Sequence, residues 1–425
     1  MPSTIAAVIQ SAISLVEGWF VGGLGLVPLA GIALVFPLFM LVQMFSAGAM
    51  GGAVMGATAR AIGAGDMRAA NGVLNSALAI SVVASVVLAG LFLGFAEPFF
   101  RLLGGEDGVL DAALAYARVF FPGIILIWLF NMMVSVLRGT GDMTRPAVAM
   151  IIVAVTHFLF IWLLLRGTPF SAPMGIEGAA WAVLLAYATS LMYVVWTLTR
   201  SRRAVRIGGE GGITRLILLP LLRAGSLASN QSLVTVIYAL IATAIVGRLG
   251  TEWLAGYGIG VRLEFLMIPV IFGIGSALIA IVGAHVGAGE RAKAIAIAWR
   301  GAFYAFAIVG VIGIIVAMFP GLWSGLFTDD PQVAAVTARY LSIVGPCYGF
   351  FAIGLCLYFA SQGLNTLLYP VLGAVLRLVI VAVGAVFITW AGLPADTALF
   401  ILIAAAMVSY GTMVAVSLKY GPWKS

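Results

Sequence analysis

The chain keeps a few ionisable side chains inside stretches that are otherwise apolar. Glu17, Glu264, Arg262 and His157 all lie within long hydrophobic runs. A charge at the centre of a lipid bilayer costs about 2.5–3.5 kcal/mol even on the mildest scale, so such side chains usually face a cavity or a partner. A carboxylate there can hold a proton in one state and attract a cation in another. The pattern favours ion coupling.

The two glutamates are the first candidates for this role. Glu17 lies about a turn before the end of the first run, and Glu264 lies near the middle of the eighth. Arg262 is two residues from Glu264 and therefore occupies a different helix face, so the two need not pair locally. Arg262 is also the one basic residue that we place deep in a run. A hydrogen bond to a neighbouring helix, or a long-range structural ion pair, is the alternative reading of these residues.

His157 lies inside the fifth run and could relay protons near neutral pH, because an imidazole titrates in that range. The alternative is a packed histidine that hydrogen-bonds within the protein. His157 and His285 are isolated and far apart, and no nucleophile with a base can be assembled from the runs. We therefore predict no enzymatic activity, no metal site and no cofactor other than a transported H⁺ or Na⁺.

Other polar and aromatic side chains could line a cavity suited to aromatic cations, since tyrosine rings attract cations at their faces. Helix packing and the aromatic belt of a membrane protein are the alternatives. Besides Arg262, the candidates for the substrate cavity are Tyr116, Asn131, Asn230, Gln231, Tyr238 and Tyr340.

The composition indicates that membrane-spanning helices position these residues. The chain is 63% hydrophobic and 9% charged, whereas a soluble domain carries about 25% charged residues. Apolar runs long enough to cross a ~30 Å hydrocarbon core recur from end to end. We predict an all-α polytopic membrane protein with twelve transmembrane helices near 2–21, 29–57, 72–95, 114–137, 146–165, 176–198, 216–246, 254–282, 295–319, 335–360, 370–391 and 397–418.

The charges predict the orientation of these helices. With the N-terminus inside, most basic residues fall in the inner connections, among which we count Arg200, Arg202, Arg203 and Arg377, and most acids fall outside. This is the positive-inside distribution. It predicts a multi-pass protein of the bacterial cytoplasmic membrane with both termini in the cytoplasm. It also accounts for the net charge of +7 without a nucleic-acid partner.

The two halves of the chain repeat each other. Val21-Gly22-x-Leu24-Gly25 returns as Val246-Gly247-x-Leu249-Gly250, Gly63-Ala64-Gly65-Asp66 as Gly287-Ala288-Gly289-Glu290, and Tyr116, Pro122 and Pro146 as Tyr340, Pro346 and Pro370. Each copy has an even number of spans, so the repeats are parallel, as in many secondary transporters with a substrate site between their halves. We predict two pseudo-symmetric six-helix lobes, 1–198 and 216–425, joined by a cytoplasmic linker, 199–215.

Several of these motifs resemble the MATE (multidrug and toxic compound extrusion) family. The stretch from Leu15 to Gly25, the Gly-Ala-Gly-acid turns and Leu137-Arg138-Gly139-x-Gly141-Asp142 carry the resemblance, and Arg262-x-Glu264 is similar to its DNA-damage-inducible bacterial branch. The resemblance covers essentially the whole chain. It implies two six-helix lobes forming a V, and export of organic cations driven by inward H⁺ or Na⁺.

In the same branch an acidic residue of the first span, usually Asp, follows a helix-kinking proline at a characteristic distance. Pro2 and Glu17 lie at that distance from each other, with Glu in place of Asp. Two features depart from the pattern. The fifth span often carries an Asn/Asp pair, whereas 148–165 offers His157 and no carboxylate. Family members also usually extend further before the proline. We therefore expect a rearranged coupling network or another ion, and a longer native N-terminus.

The sequence thus predicts a monomeric, cation-coupled antiporter that exports amphipathic organic cations by alternating access. The alternative within the same superfamily is a flippase of lipid-linked oligosaccharides, which needs a cationic cavity for pyrophosphate. A membrane-embedded enzyme would need convergent catalytic groups. A scaffold or receptor would leave the buried acids unexplained.

Overall fold

The computed structural model describes residues 13, 16–167, 172–200, 205–391 and 395–423. Within these residues the secondary structure is helical, and no strand is present. Most of the first predicted span, 2–21, lies outside the described residues, as does Pro2. The chain divides into two compact units, Met1–Gly225 (unit 1) and Ser226–Ser425 (unit 2).

Unit 1 contains eight helices and the beginning of a ninth among its described residues. They are α1 (16–22), α2 (Leu26–Gln43), a π-helical segment (Met44–Met50), α3 (Gly51–Gly63), α4 (Met67–Leu102), α5 (Asp107–Phe120), α6 (Ile124–Gly139), α7 (Thr144–Arg166), α8 (Gly175–Arg200) and the start of α9 (Arg215–Gly247). The division between the units falls inside α9. The predicted linker, 199–215, precedes this helix.

Unit 2 continues α9 and adds seven further helices. They are α10 (Thr251–Gly287), α11 (Arg291–Met318), the short α12 (Gly321–Ser324), α13 (Pro331–Val344), a 3₁₀ turn (Gly345–Cys347), α14 (Tyr348–Leu364), α15 (Leu368–Trp390) and α16 (Ala395–Tyr420).

The described helices have the length and composition of membrane spans. Ten helical stretches are long and apolar enough to cross a bilayer, and the bent pair α5–α6 adds an eleventh. These stretches coincide with the second to twelfth predicted spans. Large apolar side chains remain exposed on them, such as Val83, Phe265 and Val386. Patches of this extent face lipid in a membrane protein, so the predicted all-α membrane fold is confirmed for the described residues.

The repeated prolines break the same span in each unit. Helix α5 meets α6 at an angle of 53° across the turn that contains Pro122. In unit 2 the 3₁₀ turn with Pro346 separates α13 from α14. Proline has no backbone N–H and cannot continue an α-helical hydrogen-bond ladder. The sequence repeat therefore corresponds to a repeated interruption of the α-helix, which is sharply bent at Pro122 and continues through a 3₁₀ turn at Pro346.

The repeated Gly-Ala-Gly-acid segments form the turns before α4 and α11. Gly65 and Gly289 have φ angles of +72° and +79°, a conformation that costs a residue with a Cβ atom. Asp66 then caps α4, since its carboxylate accepts the N–H of Ala69 at 2.8 Å. Glu290 begins α11 but bonds His285 and Lys293 instead. Hydrogen bonds from half-buried His285 and exposed Lys293 hold the pKa of the Glu290 carboxyl below its usual range, His285 most strongly.

Candidate functional site

Unit 1 buries Glu17 against a tyrosine. Glu17 is 9% exposed on α1, and the hydroxyl of Tyr116 on α5 donates a hydrogen bond of 2.8 Å to its Oε1 atom. Tyr116 is itself buried. Among the described residues, Oε2 has no hydrogen-bond partner. One carboxyl oxygen is thus fixed by the protein, while the other can take a proton or a cation.

A second polar cluster of unit 1 forms where α2 passes into its π-helical segment. Gln43 donates to the hydroxyl of Tyr187 at 2.6 Å, and Asn131 donates to Gln43 at 3.0 Å and to Ser46 at 2.8 Å. A π-helical turn often marks a functional site, because it turns side chains out of regular register. Of the predicted cavity residues in unit 1, Asn131 belongs to this cluster and Tyr116 to the glutamate pair.

His157 is buried on α7, and neither ring nitrogen has a hydrogen-bond partner in the described part of the chain. The next residue, Phe158, packs edge-on against Phe20 of α1 with 5.6 Å between ring centroids. Helix α7 therefore lies beside the helix that carries Glu17. The structure does not bring His157 into the Glu17–Tyr116 pair.

A groove of about 650 Å³ opens at the end of α1. Its lining includes Gly18 and Trp19 from α1 and Arg166 from the end of α7. Gly18 follows Glu17 in the same helix, but the Glu17 side chain does not line the groove. Its walls are mainly apolar and glycine-rich, which suits an amphipathic ligand.

Unit 2 also holds a glutamate against a tyrosine. Tyr340 on α13 donates its hydroxyl to the carboxylate of Glu264 on α10. The ring of Tyr340 is buried and meets that of Tyr257 edge-on at 5.4 Å. Tyr116 and Tyr340 are equivalent positions of the sequence repeat. The repeat therefore preserves the hydrogen-bond donor, although the acid comes from the first span of unit 1 and from the second span of unit 2.

Arg377 is the buried cation of this cluster. It lies near the middle of α15, is 7% exposed, and places its guanidinium carbon 3.8 Å from the ring centroid of Tyr238 and 5.0 Å from that of Phe351. The prediction that Arg377 lies in a connection between spans was wrong. Stacking on two rings lets a charged side chain lie within an apolar helix, and hydropathy alone does not detect such stacking.

Arg262 lies outside this cluster. Its side chain is exposed and sits 5.4 Å from the ring centroid of Phe327, which lies in the connection between α12 and α13. A long arginine side chain can bring its charge to a helix end in this way. As predicted, Arg262 and Glu264 occupy different faces and do not pair. Among the described residues of unit 2, Arg377 and not Arg262 is the deeply buried cation.

The side chains of the neighbouring residues Asn230 and Gln231 lie in different environments. Asn230 is exposed and donates to the carbonyl of Ser226 in its own helix at 3.1 Å. Gln231 is buried, and its side-chain amide lies 3.5 Å from the hydroxyl of Tyr410. Only Gln231 therefore joins the polar interior of unit 2.

Sequence reasoning missed several residues of these clusters, among them Gln43, Tyr187, Arg377 and Tyr410. One available signal was the repeat itself, because Tyr187 and Tyr410 lie one residue off the register that relates Tyr116 to Tyr340. Each of these two tyrosines meets a glutamine amide, from α2 in unit 1 and from α9 in unit 2. In unit 1 the glutamate, Glu17, lies on the first span and the glutamine, Gln43, on the second. In unit 2 the order is reversed, with Gln231 on the first span and Glu264 on the second.

Comparison with known proteins detects the same two-fold repeat in the sequence. The MatE family model matches the chain twice, at residues 2–163 and 228–388. The FAD transporter of Shewanella oneidensis is 26% identical over 89% of this chain and 83% of its own length. The probable multidrug resistance protein NorM of Thermotoga maritima is 26% identical over 88% of this chain and 80% of its own length.

Solved structures show the same fold. A MATE transporter in the bent conformation superposes with a TM-score of 0.89 at 24% identity, covering 98% of this chain and 92% of that chain. An outward-facing multidrug resistance MATE transporter superposes with a TM-score of 0.85 at 24% identity, covering 98% and 94%. The two matches of the family model together cover more than half of the sequence. The chain therefore belongs to the MATE family of multidrug efflux transporters.

Proposed function

We propose that this protein is a cation-coupled antiporter of the bacterial cytoplasmic membrane, with both termini in the cytoplasm, that exports amphipathic organic cations by alternating access. One observation carries the proposal. In each unit a buried or half-buried glutamate accepts a hydrogen bond from the repeat-related tyrosine, Tyr116 or Tyr340. An acid kept in this setting suits a group that changes its charge during transport.

Glu17 is proposed as the principal coupling residue. Its Oε1 atom is held by Tyr116, so the carboxylate keeps its position while Oε2 binds or releases H⁺ or Na⁺. The groove lined by Gly18 and Trp19 lies at the end of the helix that carries Glu17 and offers an amphipathic ligand an apolar surface there. A bound cation and a bound proton neutralise the same negative charge, and each therefore displaces the other. This competition is what couples export to ion entry.

Glu264 is proposed as a second coupling site. It lies in a cluster that also contains the cation Arg377, so its local charge balance differs from that at Glu17. His157 is proposed as a proton relay in unit 1. Two unpartnered nitrogens on a buried imidazole support this role, because an unsatisfied buried polar group is otherwise costly.

Dye efflux from proteoliposomes tests the proposal. A proton gradient and a sodium gradient are imposed separately on the wild-type protein and on Glu17→Gln. The amide keeps the size of the side chain and can still accept from Tyr116, but it cannot bind a proton. We expect one of the two gradients to drive efflux in the wild type and neither gradient to drive it in Glu17→Gln.

Glu97→Gln is the matched control. Glu97 is an exposed carboxylate that pairs with Arg101 at the end of α4, and its replacement should leave efflux unchanged. Correct folding of both variants is checked by size-exclusion profile and thermal stability. Gradient-driven efflux in a folded Glu17→Gln protein at the wild-type rate would remove Glu17 from the mechanism.

A further inference from the structure

Arg377 is a buried cation with an unused hydrogen-bond donor. It is 7% exposed, and its Nε atom has no hydrogen-bond acceptor among the described residues. A buried donor without an acceptor costs free energy that an exposed donor does not. This atom therefore points to a ligand that supplies an acceptor.

The stacking of Arg377 defines what kind of ligand fits. Tyr238 lies 3.8 Å and Phe351 5.0 Å from the guanidinium carbon. A guanidinium group is planar, so its N–H donors point outward in that plane, away from a ring that stacks on its face. Two oxygens of a carboxylate or a phosphate match that edge with parallel hydrogen bonds.

The carboxylate of Glu264 is not the anion that hydrogen-bonds to Arg377. Arg377 and Glu264 lie close enough for their charges to interact, but they form no direct ion pair among the described residues. The Glu264 carboxylate accepts instead from Tyr340. The Nε atom on the in-plane edge of Arg377 is thus left for another anion.

The surroundings of Arg377 add polar and aromatic contacts. Tyr410 lies within electrostatic range of Arg377 and meets the amide of Gln231 at 3.5 Å. The Oε1 atom of Gln231 is buried and has no partner within the described part of the chain. An aromatic wall with unpaired polar atoms suits an organic ligand that carries both a flat ring and a charge.

We propose that unit 2 contains an anion-binding site, in which the in-plane edge of Arg377 holds a phosphate or carboxylate group of an organic anion or of an anionic lipid. The site goes beyond the proposed export of organic cations, because it admits substrates or lipids of opposite charge.

Equilibrium binding of two flavins tests this site. Flavin mononucleotide and riboflavin share one fluorescent ring system and differ by a phosphate group, so their difference in affinity reports recognition of that group. Each is titrated into the purified protein in nanodiscs of phosphatidylcholine, without any ion gradient. We expect the wild type to bind the phosphorylated flavin about tenfold or more tightly, the scale of hydrogen bonds to a charged group.

The variant Arg377→Gln should bind the two flavins equally. Arg377→Lys serves as a second variant, since it keeps a positive charge but lacks the planar fork, and it should lose most of the preference. Arg200→Gln is the matched control, because Arg200 also lies over an aromatic ring, Trp196 at 5.2 Å, but is exposed at the end of α8. It should keep the full preference.

Nanodiscs that contain phosphatidylglycerol distinguish the two sources of the anion. Weaker binding of flavin mononucleotide there, with riboflavin unchanged, assigns the site to a lipid headgroup; unchanged binding of both assigns it to a soluble anion. Equal wild-type affinity for the two flavins in phosphatidylcholine would overturn the proposal, as would an undiminished preference in a folded Arg377→Gln or Arg377→Lys protein. Dye efflux that persists in either case leaves the proposed antiport intact.

Discussion

Two tyrosine hydroxyl groups determine how the acids are held. Tyr116 and Tyr340 occupy equivalent positions of the repeat, and each donates to a glutamate from a different helix. A hydrogen bond to a charged group contributes about 1.5–3 kcal/mol, so each tyrosine favours one position of its carboxylate. In the proposed mechanism the tyrosines position the acids, and the acids exchange the ion.

This assignment predicts graded effects for Tyr116→Phe. The ring remains packed while the hydroxyl donor is lost, so Glu17 can still exchange an ion but is less well positioned. We expect efflux to fall by about tenfold, in line with the loss of one hydrogen bond to a charged group, and to be restored in part by a steeper gradient. Efflux as low as that of Glu17→Gln at every gradient would contradict a positioning role.

Tyr304→Phe is the control for this substitution. The Tyr304 ring is exposed on α11, and its hydroxyl takes no part in the clusters described above. Its replacement should not change the efflux rate.

At this scale the sequence predicted the acids and both tyrosines as candidates. It could not predict which tyrosine meets which acid, because that depends on helix rotation and close packing. Arg377 was missed for a physical reason. Its charge lies in a helix of high hydropathy, and only the rings of Tyr238 and Phe351, distant in sequence, make that position possible.

At the scale of helices, the repeat conserves the backbone more strictly than the polar side chains. The prolines at the broken spans and the glycines at the turns recur, since they set backbone geometry that few residues can adopt. The glutamate and the glutamine occupy different spans in the two units, and each still contacts a tyrosine. A scaffold of this kind can keep one fold while its two units acquire different charges.

The turn glycines give a prediction of stability. In Gly65→Ala the new Cβ meets no atom within 4 Å, but the backbone has φ +72°. Only the backbone conformation is then penalised, by roughly 1–2 kcal/mol. The midpoint of thermal unfolding should fall accordingly. Gly90→Ala is the matched control, because Gly90 also has open space but lies inside α4, where alanine is the better helix former. An equal loss of stability in both variants would exclude the backbone explanation.

The sequence predicted the spans from the second to the twelfth because apolar length is a strong signal. It did not predict the π-helical segment Met44–Met50 or the 53° bend between α5 and α6. Pro122 and Pro346 marked where the backbone would break, but the size of a bend depends on the helices packed around it.

For the whole molecule, family membership rests on matches in both units and on the shared fold. Relatives of comparable identity are named for multidrug resistance and for FAD. Substrate range therefore cannot be read from the fold, because function resides in the side chains placed on it. In this chain we propose that those side chains are the carboxylates of Glu17 and Glu264 and the guanidinium of Arg377.

In the proposed mechanism Glu17 changes its protonation or cation occupancy when substrate binds. Infrared difference spectra of the purified protein, recorded on adding a cationic substrate or Na⁺, measure this most directly through the stretching bands of carboxyl and carboxylate groups. We predict a change in these bands in the wild type that is absent from Glu17→Gln and present in Glu97→Gln. Identical spectra for the wild type and Glu17→Gln would contradict the account.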